Sequence, residues 1–131
     1  MERIMELFKN NMFFIATMDG DQPRVRPFGR LFGYEGRLYI NTGNTKEVYR
    51  QMKENPKVEL CVFSKGKIVR LDALAQESQD EKVRGALLES EAGVAHMYER
   101  KEDTLALFRL EQVAATVTER GEITERIALE D

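Results

Sequence analysis

The chain has 131 residues, of which 42% are hydrophobic and 33% are charged, and its formal net charge is −3. This length and composition predict a single domain over residues 1–131, and the acidic balance argues against a general nucleic-acid-binding protein. No apolar stretch is long enough for a signal peptide or a membrane span, so we expect a cytoplasmic protein with no membrane partner. One cysteine and one histidine exclude an internal disulfide and cannot supply a zinc site of the usual kind.

The first part of the chain predicts one helix and two strands. Apolar residues at roughly helical spacing indicate an amphipathic helix over residues 1–11, and the apolar run of residues 12–18 indicates a buried strand. The strand predicted over residues 22–32 contains Pro23 and Pro27. Because proline cannot donate a ladder hydrogen bond, we expect this strand at a sheet edge or a bulge.

A strand, a helix and another strand follow. Residues 38–41 predict a strand, residues 45–55 a helix that Pro56 ends, and residues 57–64 a second strand. That second strand is partly apolar on both faces, so one face is expected in the core and the other is a candidate contact with another subunit. Cys61 lies in this second strand, and its thiol is expected to be buried and inert.

The remainder of the chain predicts more strands than helices. In order, the patterns indicate a strand over residues 68–75, a charged surface helix over residues 79–91, a loop with some helical content over residues 94–103, strands over residues 104–110 and 113–118, and an amphipathic segment over residues 123–129. About five to seven antiparallel strands in so short a chain predict a mainly β (α+β) fold, a small antiparallel barrel with flanking helices.

The segment from Leu38 to Pro56 has the pattern of an anion site. A strand ends in the polar turn Thr42–Thr45 and passes directly into a helix, whose N-terminal N–H groups and positive dipole end attract anions. Asn44 is expected to cap this helix, and Glu47 to complete a capping-box pair. Lys46 lies in the first turn, where the dipole disfavours a cation unless an anion such as phosphate is bound. The alternative is an ordinary capped helix with a solvated lysine.

A second candidate is the segment PRVRPF, residues 23–28. Arg24 and Arg26 are two positions apart and share one face of a strand, while the prolines leave neighbouring backbone groups unpaired for a planar, polar ligand edge. Arginine binds phosphate oxygens in a bidentate manner, so these side chains near Lys46 would strengthen a phosphate site. The alternative is that both arginines are solvated residues that protect a sheet edge against aggregation.

The order and spacing of PRVRPF and LYINTGNTKEVYRQMKENPKVEL resemble the pyridoxamine 5′-phosphate oxidase-like family of FMN-binding split barrels. The resemblance covers roughly residues 1–75 well and the remainder loosely. It implies a split β-barrel that binds FMN between the subunits of a homodimer, with some contacts from the partner chain. The residues that it implies are Arg24, Arg26, Pro27 and Phe28 along the flavin, and Asn41, Thr42, Asn44, Thr45 and Lys46 at its ring edge and phosphate.

Departures from the family pattern bear on the activity. The true oxidases are longer and carry a C-terminal tryptophan and arginine, whereas this chain has no Trp. Thr45 and Lys46 stand where those enzymes place an arginine and a lysine, so pyridoxine phosphate is not the expected substrate. The resemblance implies an FMN-dependent oxidoreductase with an undefined small-molecule substrate and electron donor. The open alternatives are a non-catalytic flavin- or heme-binding module for storage, sensing or electron carriage, and a deazaflavin-dependent reductase.

Other residues that could take part in chemistry have simpler interpretations. His96 could donate a proton to a flavin or ligate heme, but a lone histidine in a loop is more often a surface or packing residue. The four tyrosines could stack on a ring, but aromatic residues are first of all core material. The sequence shows no nucleophile-and-base pair, so catalytic residues stay unassigned.

Overall fold

The computed structural model describes residues 1–90 and 104–130. The helices there are α1 (Glu2–Phe8), α2 (Glu47–Glu54) and α3 (Glu81–Ser90), and the strands are β1 (Phe13–Asp19), β2 (Gln22–Phe28), β3 (Phe32–Tyr34), β4 (Arg37–Gly43), β5 (Lys57–Ser64), β6 (Lys67–Ser78), β7 (Leu105–Glu119) and β8 (Glu122–Ala128). In this part of the chain, no helix is both long enough and apolar enough to cross a membrane.

All the strands belong to one antiparallel sheet. Its order is β2-β1-β5-β6-β7-β4-β3, and β8 pairs with the second half of β7, beyond the part that pairs with β4. Within residues 1–90 and 104–130, β2 and β3 each pair on one side only, so the barrel stays open. The predicted fold, a mainly β antiparallel split barrel with flanking helices, is confirmed, and so is the edge position of the proline-containing strand.

Two hydrophobic clusters lie on opposite sides of β4 and β7. The larger cluster fills the barrel and draws side chains from α1, α2 and most strands. The smaller cluster packs α3 against the other side of β4 and β7 through Tyr39, Val83, Leu87, Leu105 and Leu107. We call the side of the sheet that faces the larger cluster the inner face. Because β4 and the first half of β7 are covered on both sides, successive residues there are buried with little alternation, whereas burial alternates in the second half of β7.

Strand β5 shows the expected division into two faces. Its Val58, Leu60 and Val62 are buried in the barrel, whereas Phe63 is 70% exposed. The residues that alternate with the core residues lie on the opposite side of the sheet, which we call the outer face. Cys61 is only half-buried there, so the expectation of a fully buried thiol was wrong.

Element boundaries differ from the prediction in two regions. The strand expected over residues 22–32 stops at Phe28, because its partner β1 begins at Phe13 and offers no residue for further pairing. The strands expected over residues 104–110 and 113–118 are the single strand β7. The two predicted strands are joined by a β-bulge at Gln112, whose φ is +52°, where the pairing with β6 shifts register. Because a bulge inserts residues without ending the ladder, the strand is not interrupted there. The amphipathic segment expected over residues 123–129 is β8, and the loop expected over residues 94–103 lies outside the described residues.

Candidate functional site

Helix α2 lies against the inner face of the sheet near its β2 edge. Val48 and Met52 of α2 belong to the barrel core. In the β1–β2 ladder, Thr17 is paired with Arg24 and Ile15 with Arg26. Because directly opposed residues share a face, both arginines lie on the inner face. The structure therefore brings the predicted arginine strand and the predicted anion-binding helix to the same corner of the barrel.

Arg26 is held by neutral oxygens from β1 and α2. Its Nη1 donates to Thr17 Oγ1 at 2.8 Å and to the Ile15 carbonyl oxygen at 3.2 Å. Its Nη2 donates to Gln51 Oε1 at 2.7 Å, and Thr17 Oγ1 donates to the same Oε1 at 2.6 Å. Thr17 and Gln51 are 1% and 3% exposed. We call Thr17 and Gln51, the two side chains that hold Arg26, the arginine cradle.

The charge of Arg26 is not neutralised by the residues around it. In the described part of the chain its hydrogen-bond acceptors are carbonyl, hydroxyl and amide oxygens, with no carboxylate among them. Burial lowers the pKa of Arg26 from its ordinary value, and the positive charge of Arg24 lowers it further. An arginine remains protonated at neutral pH even so. A bound anion would thus stabilise this half-buried positive charge.

Arg24 is in a different electrostatic position. Its Nε lies 3.5 Å from Asp19 Oδ2, and the same carboxylate accepts a hydrogen bond from Arg50 Nη2 at 3.2 Å. Arg50 also pairs with Glu47 at 2.6 Å and with Glu54 at 3.1 Å. Hydrogen bonding to Arg50 holds the pKa of Asp19 below its ordinary value. Of the predicted pair of arginines, Arg24 thus already has a carboxylate partner, whereas Arg26 has none within residues 1–90 and 104–130.

The expected capping box at the start of α2 is wrong. The N-cap residue is Lys46, and no side chain of the described residues caps the helix. Asn44 instead donates its N–H to the Thr104 carbonyl oxygen at 2.9 Å and accepts the Thr104 N–H at its Oδ1 at 3.1 Å. Glu47 pairs with Arg50. Asn44 is drawn away from the helix because Thr104 immediately precedes β7, which is paired with β4.

The cap residues of α2 and α3 carry opposite charges, although both helices have a glutamate in the first turn. At α3, Asp80 Oδ1 accepts the N–H groups of Lys82 and Val83 at 2.9 and 3.4 Å, as expected for an acidic cap. At α2 the exposed cap residue is a lysine, and among residues 1–90 and 104–130 no carboxylate pairs with it. A lysine at the positive end of a helix is unfavourable by itself, and a bound anion would reverse this effect.

The other predicted site residues are spread over several faces of the sheet. Thr42 is 5% exposed and lies on the inner face with Ile40, whereas Asn41 is on the opposite side of β4, which carries α3. Phe28 lies on the inner face and its ring centroid is 6.2 Å from that of Phe13. Pro27 is exposed on the outer face, opposite Phe14. A single ligand on the inner face of one chain therefore reaches Arg26 and Phe28 more directly than Pro27 or Asn41.

The outer face carries exposed apolar side chains next to a cavity of about 450 Å³. Phe14 is 45% and Val25 69% exposed, and Phe14 is paired with Cys61 of β5. Glu59 and Asp72 are directly opposed and both line the cavity. Burial and the hydrogen bond with Asp72 raise the pKa of Glu59. This face therefore combines exposed apolar side chains with a carboxyl pair.

Sequence reasoning missed Thr17 and Gln51. Thr17 is a polar residue within the apolar run of β1, and Gln51 lies on the apolar side of α2 beside Met52. A polar residue on a predicted buried face is the signal that could have identified both. His96 and Tyr98 lie outside the described residues, and within those residues no group of three or more His, Cys, Asp or Glu is arranged to hold a metal ion.

The sequence profile of a family described as pyridoxamine 5′-phosphate oxidase matches residues 1–120. A comparison with the curated proteins finds no match. Among solved structures, the chain is similar to a NimC/NimA family protein from Clostridium acetobutylicum, with 36% sequence identity and a TM-score of 0.88. That match covers 98% of this chain and 93% of the other.

More distant solved structures share the fold. A FAD-binding protein from Mesorhizobium loti is 21% identical with a TM-score of 0.63, and the match covers 87% of this chain and 91% of the other. HutZ, the heme storage protein from Vibrio cholerae, is 16% identical with a TM-score of 0.65, and the match covers 84% of this chain and 87% of the other. At these identities the likeness establishes the fold alone.

Proposed function

Because the chain belongs to the pyridoxamine 5′-phosphate oxidase family, we propose that it binds FMN and exchanges electrons between this flavin and a small molecule. The observation that carries the proposal is Arg26, a half-buried cation that is held beside α2 and has no carboxylate partner among the described residues. FMN ends in a phosphomonoester, which is the kind of anion that an arginine and a helix N-terminus bind together.

In this proposal the phosphate is bound by Arg26 and Lys46 at the start of α2, with Thr42 and Thr45 in the same loop. Asn44 contributes to the shape of the loop, because its N–H and side-chain oxygen are engaged with Thr104. Phe28 borders the ring on the inner face. Arg24 adds to the positive potential of the strand, although its charge is shared with Asp19.

Bound FMN would supply the hydride chemistry. The chain would bind the phosphate, orient the ring and limit the access of water to one ring face. Pro27 and Asn41 lie on other faces of the sheet, so in this proposal they contact a flavin that spans the sheet edge or is shared with a partner subunit.

We further propose that the functional unit is a symmetric homodimer formed through the outer face, and that the flavin reaches this interface by spanning the sheet edge at β2. Exposed Phe14, Val25 and Phe63 give this face the apolar character that interfaces between identical subunits use. An isologous contact would cover the same side chains on both subunits. The carboxyl pair of Glu59 and Asp72 and the exposed Arg70 lie on the same face, so oppositely charged groups are available on each subunit.

Replacing Val25 with Asp is expected to convert the dimer into monomers. Val25 is 69% exposed in the single chain, so the aspartate would be solvated in a monomer but desolvated in the dimer. Sedimentation velocity would show the change, with an unaltered circular dichroism spectrum. Val25→Thr keeps the branched shape without a charge and is expected to remain dimeric. A wild-type protein that sediments as a monomer with one tightly bound FMN per chain would refute the interfacial site.

The purified protein is expected to bind FMN at least tenfold more tightly than riboflavin, since roughly 1.4 kcal/mol from phosphate contacts corresponds to a factor of ten. Fluorescence quenching titrations of both flavins measure this ratio. Equal affinities would remove the phosphate role of the α2 loop. Turnover of NADH or NADPH with an acceptor then distinguishes an oxidoreductase from a flavin carrier.

A heme-binding module is the second candidate, because HutZ, which shares the fold, is a heme storage protein. The absorbance spectrum of the copurified cofactor separates the two, since heme, FMN and a deazaflavin absorb differently. A heme spectrum with no flavin after release by denaturation would favour the storage or carrier function. A deazaflavin spectrum would favour a deazaflavin-dependent reductase on the same barrel.

A further inference from the structure

Gln51 is an unusual residue for its position. It lies in α2 beside Val48 and Met52, which are core residues, and only 3% of it is exposed. Burying an amide carries a desolvation cost that a leucine at the same position would not have. The amide oxygen recovers this cost by accepting hydrogen bonds from Thr17 and Arg26.

In the described part of the chain, Arg26 has neutral acceptors and no carboxylate partner. One position earlier in α2, Arg50 engages three carboxylates, those of Asp19, Glu47 and Glu54. A glutamate at position 51 would have nearly the same shape as the glutamine and would form a charge-assisted pair with Arg26. Such a pair would hold the guanidinium more strongly but would also cancel its charge.

From this contrast we propose that Gln51 and Thr17 are positioning residues that hold Arg26 through neutral oxygens, so that its positive charge is left for the phosphate of the ligand. The proposal rests on the proposed function, because it explains how the phosphate-binding arginine is oriented. It adds the prediction that the neutrality of the cradle, and not only its shape, determines the preference for a phosphorylated flavin.

The decisive variant is Gln51→Glu, tested by titration with FMN and with riboflavin and by thermal unfolding. FMN affinity is expected to fall by roughly tenfold or more, because the carboxylate neutralises Arg26 and repels the phosphate. Riboflavin affinity should stay within about twofold, since riboflavin has no phosphate. The unfolding midpoint should be unchanged or raised, because the new ion pair replaces a neutral contact. Weaker FMN binding in an equally stable protein is a result that a purely structural role of Gln51 does not produce.

Two neutral variants test the inference even if Gln51→Glu does not fold. Gln51→Met and Thr17→Val each remove acceptors from the cradle without adding a charge, so each should lower the FMN-to-riboflavin preference, but by less than Gln51→Glu. If either neutral variant lowers the preference as much as Gln51→Glu, the neutral charge of the cradle is not what matters and the inference is wrong. If both leave the preference unchanged, Arg26 does not need the cradle, and the inference is also wrong.

Failure of the inference and failure of the proposed function give different results. If wild-type protein prefers FMN and Gln51→Glu keeps that preference, only the inference is overturned. If wild-type protein binds neither flavin, or binds both equally, the phosphate site itself is overturned and the inference falls with it. Loss of the preference in Gln51→Glu, with the wild-type preference intact and the fold retained, supports both.

Discussion

Replacing Leu60 with Asp is expected to destabilise the fold by about 4 kcal/mol or more. Leu60 is fully buried in the barrel, paired with Ile15 of β1 and Leu71 of β6, which are also fully buried. An aspartate there would lose the packing of the leucine and would bury a charge with no partner among these side chains. Because domains of this kind are stable by only about 5–15 kcal/mol, a large fraction of the folded population would be lost. Urea unfolding followed by circular dichroism measures the change.

The position of Leu60 also determines what this variant tests. The sequence left open whether an aspartate at residue 60 would act through the core or through a subunit interface, and the structure places Leu60 in the core. The control is Phe63→Asp, on the same strand but with its ring 70% exposed on the outer face, which should leave the fold of the single chain intact. A Leu60→Asp protein that unfolds at the wild-type urea concentration would contradict this description of the core.

Replacing Lys46 with Ala is expected to weaken FMN binding by roughly 1.5–3 kcal/mol, or about ten- to 150-fold in Kd. Lys46 is the N-cap residue of α2, and among the described residues no side chain caps that helix. In the proposed complex its ammonium group contacts the phosphate, where the helix dipole acts in the same direction. Riboflavin binding and the unfolding midpoint should change little, because the side chain is exposed. Fluorescence quenching by each flavin measures the two affinities.

Lys82 provides the matched control for this prediction. It is an exposed lysine in the first turn of α3, a helix start that Asp80 already caps. Lys82→Ala removes the same charge and should leave FMN affinity unchanged. If Lys46→Ala also binds FMN as the wild type does, Lys46 is a solvated surface residue. Arg26 would then bind the FMN phosphate without Lys46.

For Arg24 and Arg26, spacing in the sequence predicted their shared face but not their interaction partners. Their separation by two positions correctly placed both on one face of an edge strand. The spacing could not show which of the two arginines is paired with a carboxylate, because the partners come from other elements of the fold. Asp19 reaches Arg24 across the β1–β2 turn, and neutral Gln51 reaches Arg26 from a helix that is distant in sequence.

The sequence by itself determined the features that depend on neighbouring residues. Alternation along β5 and the prolines of the edge strand are local signals, because the strand period and the missing N–H groups act within a few residues. The family resemblance came from such local motifs as well.

Only the tertiary structure decided which side chains met across the barrel. Asn44 was expected to cap α2 and instead pairs with Thr104, because β4 and β7 are joined in the sheet. Likewise, the arginine cradle brings residues of β1 and α2 together around Arg26 of β2. Strand order and helix packing determine which partner lies nearest to each of these polar side chains. The local spacing of residues in the sequence does not encode strand order or helix packing.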